Sequence, residues 1–382
     1  MPSLVSSKYL NPAVLLLSAI NQHGKSIITM AQQNKKRKYS EDLTPTQREL
    51  PSPIIFLARG VKADTRFTVF RQEFHLHSSG LKHHSNYFRT FLDSADKQPA
   101  PPFALFKYDY RSVIDEDGSW ALMPVSDSPE ITDQQLTLVN EPEEEIEALR
   151  KLLCAINSKK YRINTADELK RLTRLADYYC ALPVVSATLT EALFKSSMFD
   201  AIGSYFSKAC ECHDDCVSLL VLARKLRHGV LFRECLIYTV GKWDSLPDPE
   251  KEIIKEDQEL YKLVQVKLSV LYELLAKTQG ALLWAICEKT IDLNKIVECN
   301  HSKGSIGATI CMYEAIFDEP SFQDLFRGDG ELGELILSLL KKNHHALGCR
   351  YEHSGHGIFE NTYLCTEIED DEFPWDLEEI DW

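Results

Sequence analysis

The spacing of apolar residues changes along this chain, and that change limits what it can fold into. Phe67, Val69, Phe70, Phe74 and Leu76 are separated mostly by polar residues. Period two sets one face of an extended chain against a core, so Phe67–Leu76 predicts two strands with a tight reversal near Arg71-Gln72-Glu73. From Ser79 to Leu92 the spacing becomes helical, with Leu81, Tyr87, Phe88, Phe91 and Leu92 on or near one face. A short apolar run, Ile54–Leu57, precedes this block. After Pro99, Pro101 and Pro102, the runs Phe103–Val113 and Ser119–Val125 flank Asp115-Glu116-Asp117-Gly118 and predict a hairpin. Leu136-Thr137-Leu138-Val139 reads as one more short strand.

From Glu143 to about residue 345 the period stays helical. Ile146, Leu149, Leu152, Leu153 and Ile156 share a face, as do Leu169, Leu172, Leu175, Ala176 and Tyr179. Thr165-Ala166-Asp167-Glu168 has the form of a capping box at the start of the second of these helices. Further helices are expected at Cys216–Arg227, Phe232–Trp243, Glu259–Lys277 and Leu282–Lys289, punctuated at Gly229, Pro247 and Gly280. The fold class is therefore α+β. Residues 1–52 read as a disordered tail and 53–200 as a small sheet packed with helices, with an insertion at about 96–135. Residues 201–345 read as all-helical and 346–382 as irregular, ending in an acidic tail.

A chain of 382 residues suits two or three domains and needs no disulfide or metal to build a core. No apolar run approaches the roughly 18 residues of a spanning helix, so no membrane is expected as a partner. The formal net charge is −14, with nine carboxylates and no Lys or Arg between Thr366 and Trp382, leaving −5 for the rest. Nucleic-acid affinity comes largely from cations that displace counterions, so direct DNA or RNA binding is not expected. The eleven cysteines are scattered from Cys154 to Cys365, as reduced thiols of cytosol or nucleus would be. Pro12–Ile20 imitates the core of a secretion signal but lacks an A-x-A cleavage site, and Met30 is an alternative start. Lys35-Lys36-Arg37-Lys38 has the form of a nuclear-import run, and equally of a solvated charge run.

Two separated blocks carry a resemblance. The first holds Asp64, Phe67, Val69, Phe74, Leu76 and His77, then Leu81, Ser85, Tyr87 and Phe88. The second, after Leu152-Leu153 and Tyr161, holds Leu169, Leu175, Ala176, Asp177 and Tyr179. In this order they resemble the BTB/POZ domain over roughly residues 53–195, in the version numerous among filamentous fungi. The resemblance implies a protein-interaction module that self-associates, links substrates to a cullin ubiquitin-ligase scaffold, or recruits corepressors. Three positions depart from the family pattern. Ser78 follows His77 where a Lys or Arg is frequent, Leu92-Asp93-Ser94 lacks the Glu of many cullin adaptors, and Asn157 follows Ile156 where Tyr is usual. Leu219–Trp243 loosely resembles the BACK-like helical extension of such proteins.

The residues that bear chemistry admit plainer readings. His77 reads as a structural histidine hydrogen-bonded to nearby backbone, and Ser85, Tyr87 and Phe88 as core packing. Cys210, Cys212, His213 and Cys216 lack the second ligand pair of a zinc site, and Cys349, His353, His356 and Cys365 form a somewhat better set; ordinary thiols explain both. Asp115-Glu116-Asp117 pairs carboxylates in a turn where solvation accounts for them. His23-Gly24-Lys25-Ser26 ends like a phosphate-binding loop, but Ala19 stands where that loop needs Gly. No cofactor and no catalysis are expected. The acidic tail interleaves Phe373, Trp375, Leu377, Ile380 and Trp382 with carboxylates, which suits docking on the chain itself, a solvated spacer, or an external partner. The leading expectation is a non-catalytic interaction and oligomerisation scaffold. The alternatives are a cullin-ligase substrate adaptor, and a transcription-linked regulator using the basic run and the acidic tail.

Overall fold

The computed structural model describes residues 51–94, 101, 103–199, 211–288, 306–318, 331–343, 359, 362–379 and 382. The expectations for Pro12–Ile20, Met30 and Lys35–Lys38, and those for Cys210, Cys349, His353 and His356, lie outside these residues.

The architecture is mixed α and β. Strands β1 (Ile54–Ile55), β2 (Thr65–Val69), β3 (Gln72–Leu76), β4 (Tyr108–Ile114) and β5 (Trp120–Pro124) form one sheet in the order β1-β3-β2-β4-β5. β2 pairs antiparallel with β3 and parallel with β4, while β4 and β5 form an antiparallel hairpin. A parallel pair needs a crossover. Helices α1 (Ser78–His84) and α2 (Asn86–Leu92) lie on that connection, between β3 and β4. One sheet face carries Phe67, Val69, Phe74, Leu76, Tyr108 and Tyr110, all buried. The stretch 96–135 supplies β4 and β5 themselves, and Gly118 holds their hairpin with φ +83°, where an added Cβ would sit 2.3 Å from the Leu138 carbonyl oxygen.

Four local expectations in residues 53–199 are corrected. The reversal between β2 and β3 falls at Phe70-Arg71, with φ 46° and 80°, not at Arg71–Glu73. Two residues at positive φ make the hairpin turn usually signalled by Asn-Gly. Here tertiary contacts impose it, since Phe70 N–H donates to Ser112 Oγ at 3.1 Å and the Phe70 ring meets Trp120 edge-on. The helical stretch Ser79–Leu92 is two helices, broken where Ser85 turns extended (φ −145°, ψ 117°) and caps α2. Leu136–Val139 is no strand. Thr132 and Gln135 form a reciprocal capping box that starts α3 (Asp133–Leu136), and a turn follows. At Thr165 only half of the capping box forms: Thr165 Oγ1 accepts from Glu168 N–H, but the Glu168 carboxylate accepts from Asn164 N–H instead.

Helix α4 (Pro142–Ile156) opens with Pro142 and three glutamates in its first turn, where the helix dipole favours negative charge. It packs on α5 (Ala166–Tyr178) and α6 (Leu182–Leu193) through Leu149, Leu152, Leu153 and Ile156. The helical region continues with α7 (Glu211–Asp214), α8 (Cys216–Lys225), α9 (Gly229–Gly241), α10 (Asp248–Glu256), α11 (Gln258–Cys287), α12 (Ile306–Asp318) and α13 (Glu331–Leu340). The expected break at Gly280 is absent. α11 runs unbroken for 30 residues, and nothing lies within 4 Å of where a Gly280 Cβ would be. Among the described residues no helix is long and apolar enough to cross a membrane.

His228 joins the sheet-bearing block to the later helices. Its Nδ1 accepts from Leu231 N–H at 3.2 Å to cap α9, which leaves the Nε2 proton for Thr190 Oγ1 of α6, 2.9 Å away. Burial pushes its pKa down to about 4. The unfolded chain therefore binds a proton that the folded one refuses between pH 6.5 and 4, so stability present above that window is lost as the pH falls through it. The expected loss is about 3 kcal/mol. His228→Asn keeps a capping oxygen and should flatten this slope in urea titrations from pH 7 to 4; an equal slope in both proteins would exclude His228 as its source.

Candidate protein-docking site

The residues of the two sequence blocks meet in one place, in the interior. The Asp64 carboxylate accepts from Ser78 N–H at 2.7 Å, from Ser78 Oγ and from Thr65 Oγ1, so it caps α1 from the strand side. Burial opposes its charge, but these hydrogen bonds together outweigh it and hold Asp64 below the usual carboxylate range. The Phe67 ring stacks on Phe88 at 5.5 Å, and Phe88 on Tyr179 at 5.0 Å. Ser85 Oγ accepts from Phe88 N–H and donates to the Tyr179 carbonyl. Tyr87 packs on Phe91, Tyr178 and Tyr179, and burial pushes its hydroxyl pKa well up. Val69, Phe74, Leu76, Leu81, Leu169, Leu175 and Ala176 are buried in the same core. Asp177 differs, reaching outward to an ion pair with Lys225 of α8 at 2.6 Å. The His77 ring does not make the expected backbone bond: Nδ1 is buried without a partner, and it is the His77 carbonyl that accepts from Gly80 and Leu81.

The surface that could meet another protein lies at the margin of this block. Among the described residues β1 is a sheet edge, with β3 on one side only. Ile55 and Leu57 are 51% and 77% exposed while Phe56 between them is buried, and Val61 is also exposed. Ile55 lies opposite His75 in register, and the Phe106 ring packs on His75 at 4.8 Å. Just before Phe106, Phe103 and Leu105 are almost fully exposed. An open cleft of about 720 Å³ adjoins them, lined by Arg66, Leu92, Asp93, Leu105, Tyr108 and Pro124 among others. Arg66 and Asp93 of its lining are paired, while Lys107 lies over the Tyr108 ring at 4.8 Å. Arg66 Nε bonds Asp109 at 3.0 Å, Lys82 Nζ bonds Asp93 at 2.6 Å, and Tyr108 OH donates to Asp93 at 2.7 Å. Such a cleft offers shape and apolar rim rather than a poised acid, base or nucleophile. The sequence contained one signal for this patch: four consecutive apolar residues, Ile54–Leu57, where a two-residue edge strand can bury only part of the run.

The metal-ligand candidates separate. Cys212 and Cys216 are buried, with Cys212 Sγ 4.0 Å from Cys235 Sγ, and Thr239 Oγ1 donates to Cys216 Sγ. His213 turns to Thr362 Oγ1 at 2.8 Å and packs on Tyr238 and Phe359. Among the described residues no group of three potential ligands converges. Burial pushes the Cys216 and Cys365 thiols up to about 11 and lowers the pKa of His213 to about 4. The acidic tail is docked on the chain itself, with Phe373 buried and Trp375 packed against Phe232 of α9 at 4.9 Å. Compared with protein-family models and with curated proteins, the chain matches none.

Proposed function

We propose that residues 53–199 act as a BTB/POZ-type docking unit, without catalysis, that pairs with a second copy of the chain. The order of elements supports the family reading, as does the way Asp64, Ser85, Phe88 and Tyr179 knit strand, helix start and second helical block together. The observation that carries the docking role is the exposed apolar set of Ile55 on the edge strand with Leu57 and Val61 just after it, and Phe103 and Leu105 exposed ahead of Phe106, whose ring packs on His75 opposite Ile55. Contiguous apolar surface beside unpaired strand edges is what association covers. A role as cullin adaptor draws less support, because Asp93 is occupied by Lys82 and Tyr108. The transcription-linked reading draws less support too, because the tail's aromatic residues are turned inward. The free state of the described cysteines suits a reducing compartment, nucleus or cytoplasm.

Sedimentation equilibrium tests this. The intact chain should dimerise below roughly 100 µM, and Leu57→Asp or Ile55→Asp should weaken the dimer by at least about tenfold. Both side chains are exposed, so at concentrations well below the dimer dissociation constant, where association adds nothing to stability, their replacement should leave the urea midpoint unchanged. A monomer throughout that range would end the self-association reading.

A further inference from the structure

The docked tail shows what its own groove recognises. Residues 369–379 cross α9 and α11 on a surface of opposite charge. Lys267 Nζ, 11% exposed, holds both oxygens of Glu372 at 2.5 Å, and Arg233 pairs with Asp370 while lying over the Phe373 ring. Arg227 pairs with Glu379 and covers Trp382. Phe232 forms the floor, meeting Phe373 at 5.5 Å and Trp375 at 4.9 Å. The tail lies against the start of α9 at Gly229, where a Cβ would stand in ordinary contact, 3.6 Å, with Phe373 and Leu377 atoms.

The fit is incomplete in one respect: the indole N–H groups of both Trp375 and Trp382 are buried without a partner. Each has given up water and gained no acceptor, a standing cost on the docked state. The Asp370 and Glu379 pairs are part-exposed and screened, so they hold the tail weakly. Aromatic burial and the Lys267 pair keep it in place, and the covalent tether makes its effective concentration high. Once the tail leaves, Lys267 loses its ion-pair partner Glu372, and the Phe232 floor opens to water. The vacated groove then presents an apolar platform ringed by cations.

We infer that the groove formed by Phe232, Arg233 and Lys267 is a binding site for an acidic, aromatic peptide segment of a partner protein, and that the chain's own tail occupies it as a displaceable competitor. This does not depend on the sheet-edge dimer, since it uses different elements and a different surface.

The test uses the intact chain and a fluorescein-labelled synthetic peptide of residues 369–382. The double substitution Phe373→Ala and Trp375→Ala frees the tail and leaves every groove residue in place. The peptide should bind this released chain at least about tenfold more tightly than the native one, since it no longer competes with a tethered segment. Adding Arg233→Glu and Lys267→Glu should remove the gain, and a peptide with its carboxylates amidated should not bind. Circular dichroism and the urea midpoint establish that the released chain is folded. Equal binding by native and released chains, or none by a folded released chain, would overturn the inference. So would conversion of the native chain to a tail-exchanged dimer without peptide binding, which would give the groove to a second copy.

Discussion

Replacing Phe88 by Ala is expected to lower the free energy of unfolding by about 3–5 kcal/mol. Phe88 is fully buried and is the ring at which three parts of the front block meet. It stacks on Phe67 of β2 at 5.5 Å, on Tyr179 beyond α5 at 5.0 Å, and meets Tyr87 edge-on at 5.4 Å. Its N–H is also the group that Ser85 caps. Truncation removes the transfer energy of a large ring and leaves a cavity between a sheet and two helices, which cannot all close on it. Domains of this kind hold only about 5–15 kcal/mol in total, so the variant should sit near its folding threshold at 37 °C. Phe88→Leu fills most of the space and should cost about 1–2 kcal/mol. Urea midpoints of the three proteins decide it. An alanine variant within about 1 kcal/mol of the native chain would mean that this ring does not join the three parts.

What the sequence revealed, and what it hid, follows from where each element gets its conformation. Strands β2 and β3 and helices α4 and α5 were legible because their apolar residues repeat at the period of their own structure. Their tight reversal was legible too, but its position at Phe70-Arg71 was not, because neither residue favours positive φ, and a serine of β4, 42 positions away, holds it. The break at Ser85 was hidden inside a continuous helical pattern, since its capping bonds run to Phe88 and to the distant Tyr179. The false strand at Leu136–Val139 could have been avoided, because Thr132 and Gln135 carry a capping signature in plain view. Gly280 looked like an end, but a helix anchored by Leu268, Leu271, Thr278 and Leu282 absorbs the roughly 1 kcal/mol that one glycine costs.

The site divides in the same way. Tyr87 and Phe88 were legible as packing because they pack, whereas Ser85, read the same way, acts through hydrogen bonds that cap α2 and reach the Tyr179 carbonyl. The exposed patch was signalled only by the apolar run Ile54–Leu57; the exposure of Phe103 and Leu105 was not legible, because exposure is decided by neighbours far along the chain. The tail's composition announced an acidic, aromatic ligand, but not its receptor. Lys267 and Glu372 are 105 positions apart, and no local pattern links them.

Glu168→Gln is expected to destabilise the chain more than Lys151→Met, although both remove the same ion pair. Lys151 is almost fully buried on α4, with its Nζ 2.8 Å from Glu168 Oε2 of α5 and 3.8 Å from Glu147 Oε1. Glu168 is more exposed and accepts from Asn164 N–H as well. Gln at position 168 can keep its carbonyl oxygen where Oε2 meets both Asn164 N–H and Lys151 Nζ, but it removes the negative charge and leaves the buried ammonium with only Glu147, 3.8 Å away, as a counter-charge. Breaking a buried pair from one side in this way costs about 3–5 kcal/mol, most of it the penalty of the unpaired charge. Lys151→Met removes the buried charge, keeps an unbranched side chain of similar length, and leaves Glu168 able to turn to water. Its cost should be under about 1.5 kcal/mol. Once no ammonium is left to strand, Gln at 168 should add little, so the double variant should be more stable than Glu168→Gln alone. The double-mutant cycle would then show coupling of about 3 kcal/mol or more. Should Lys151→Met prove the costlier single change, the pair would be an attractive bond in its own right, and α4 would be held to α5 by electrostatics rather than by Leu149, Leu152 and Leu169.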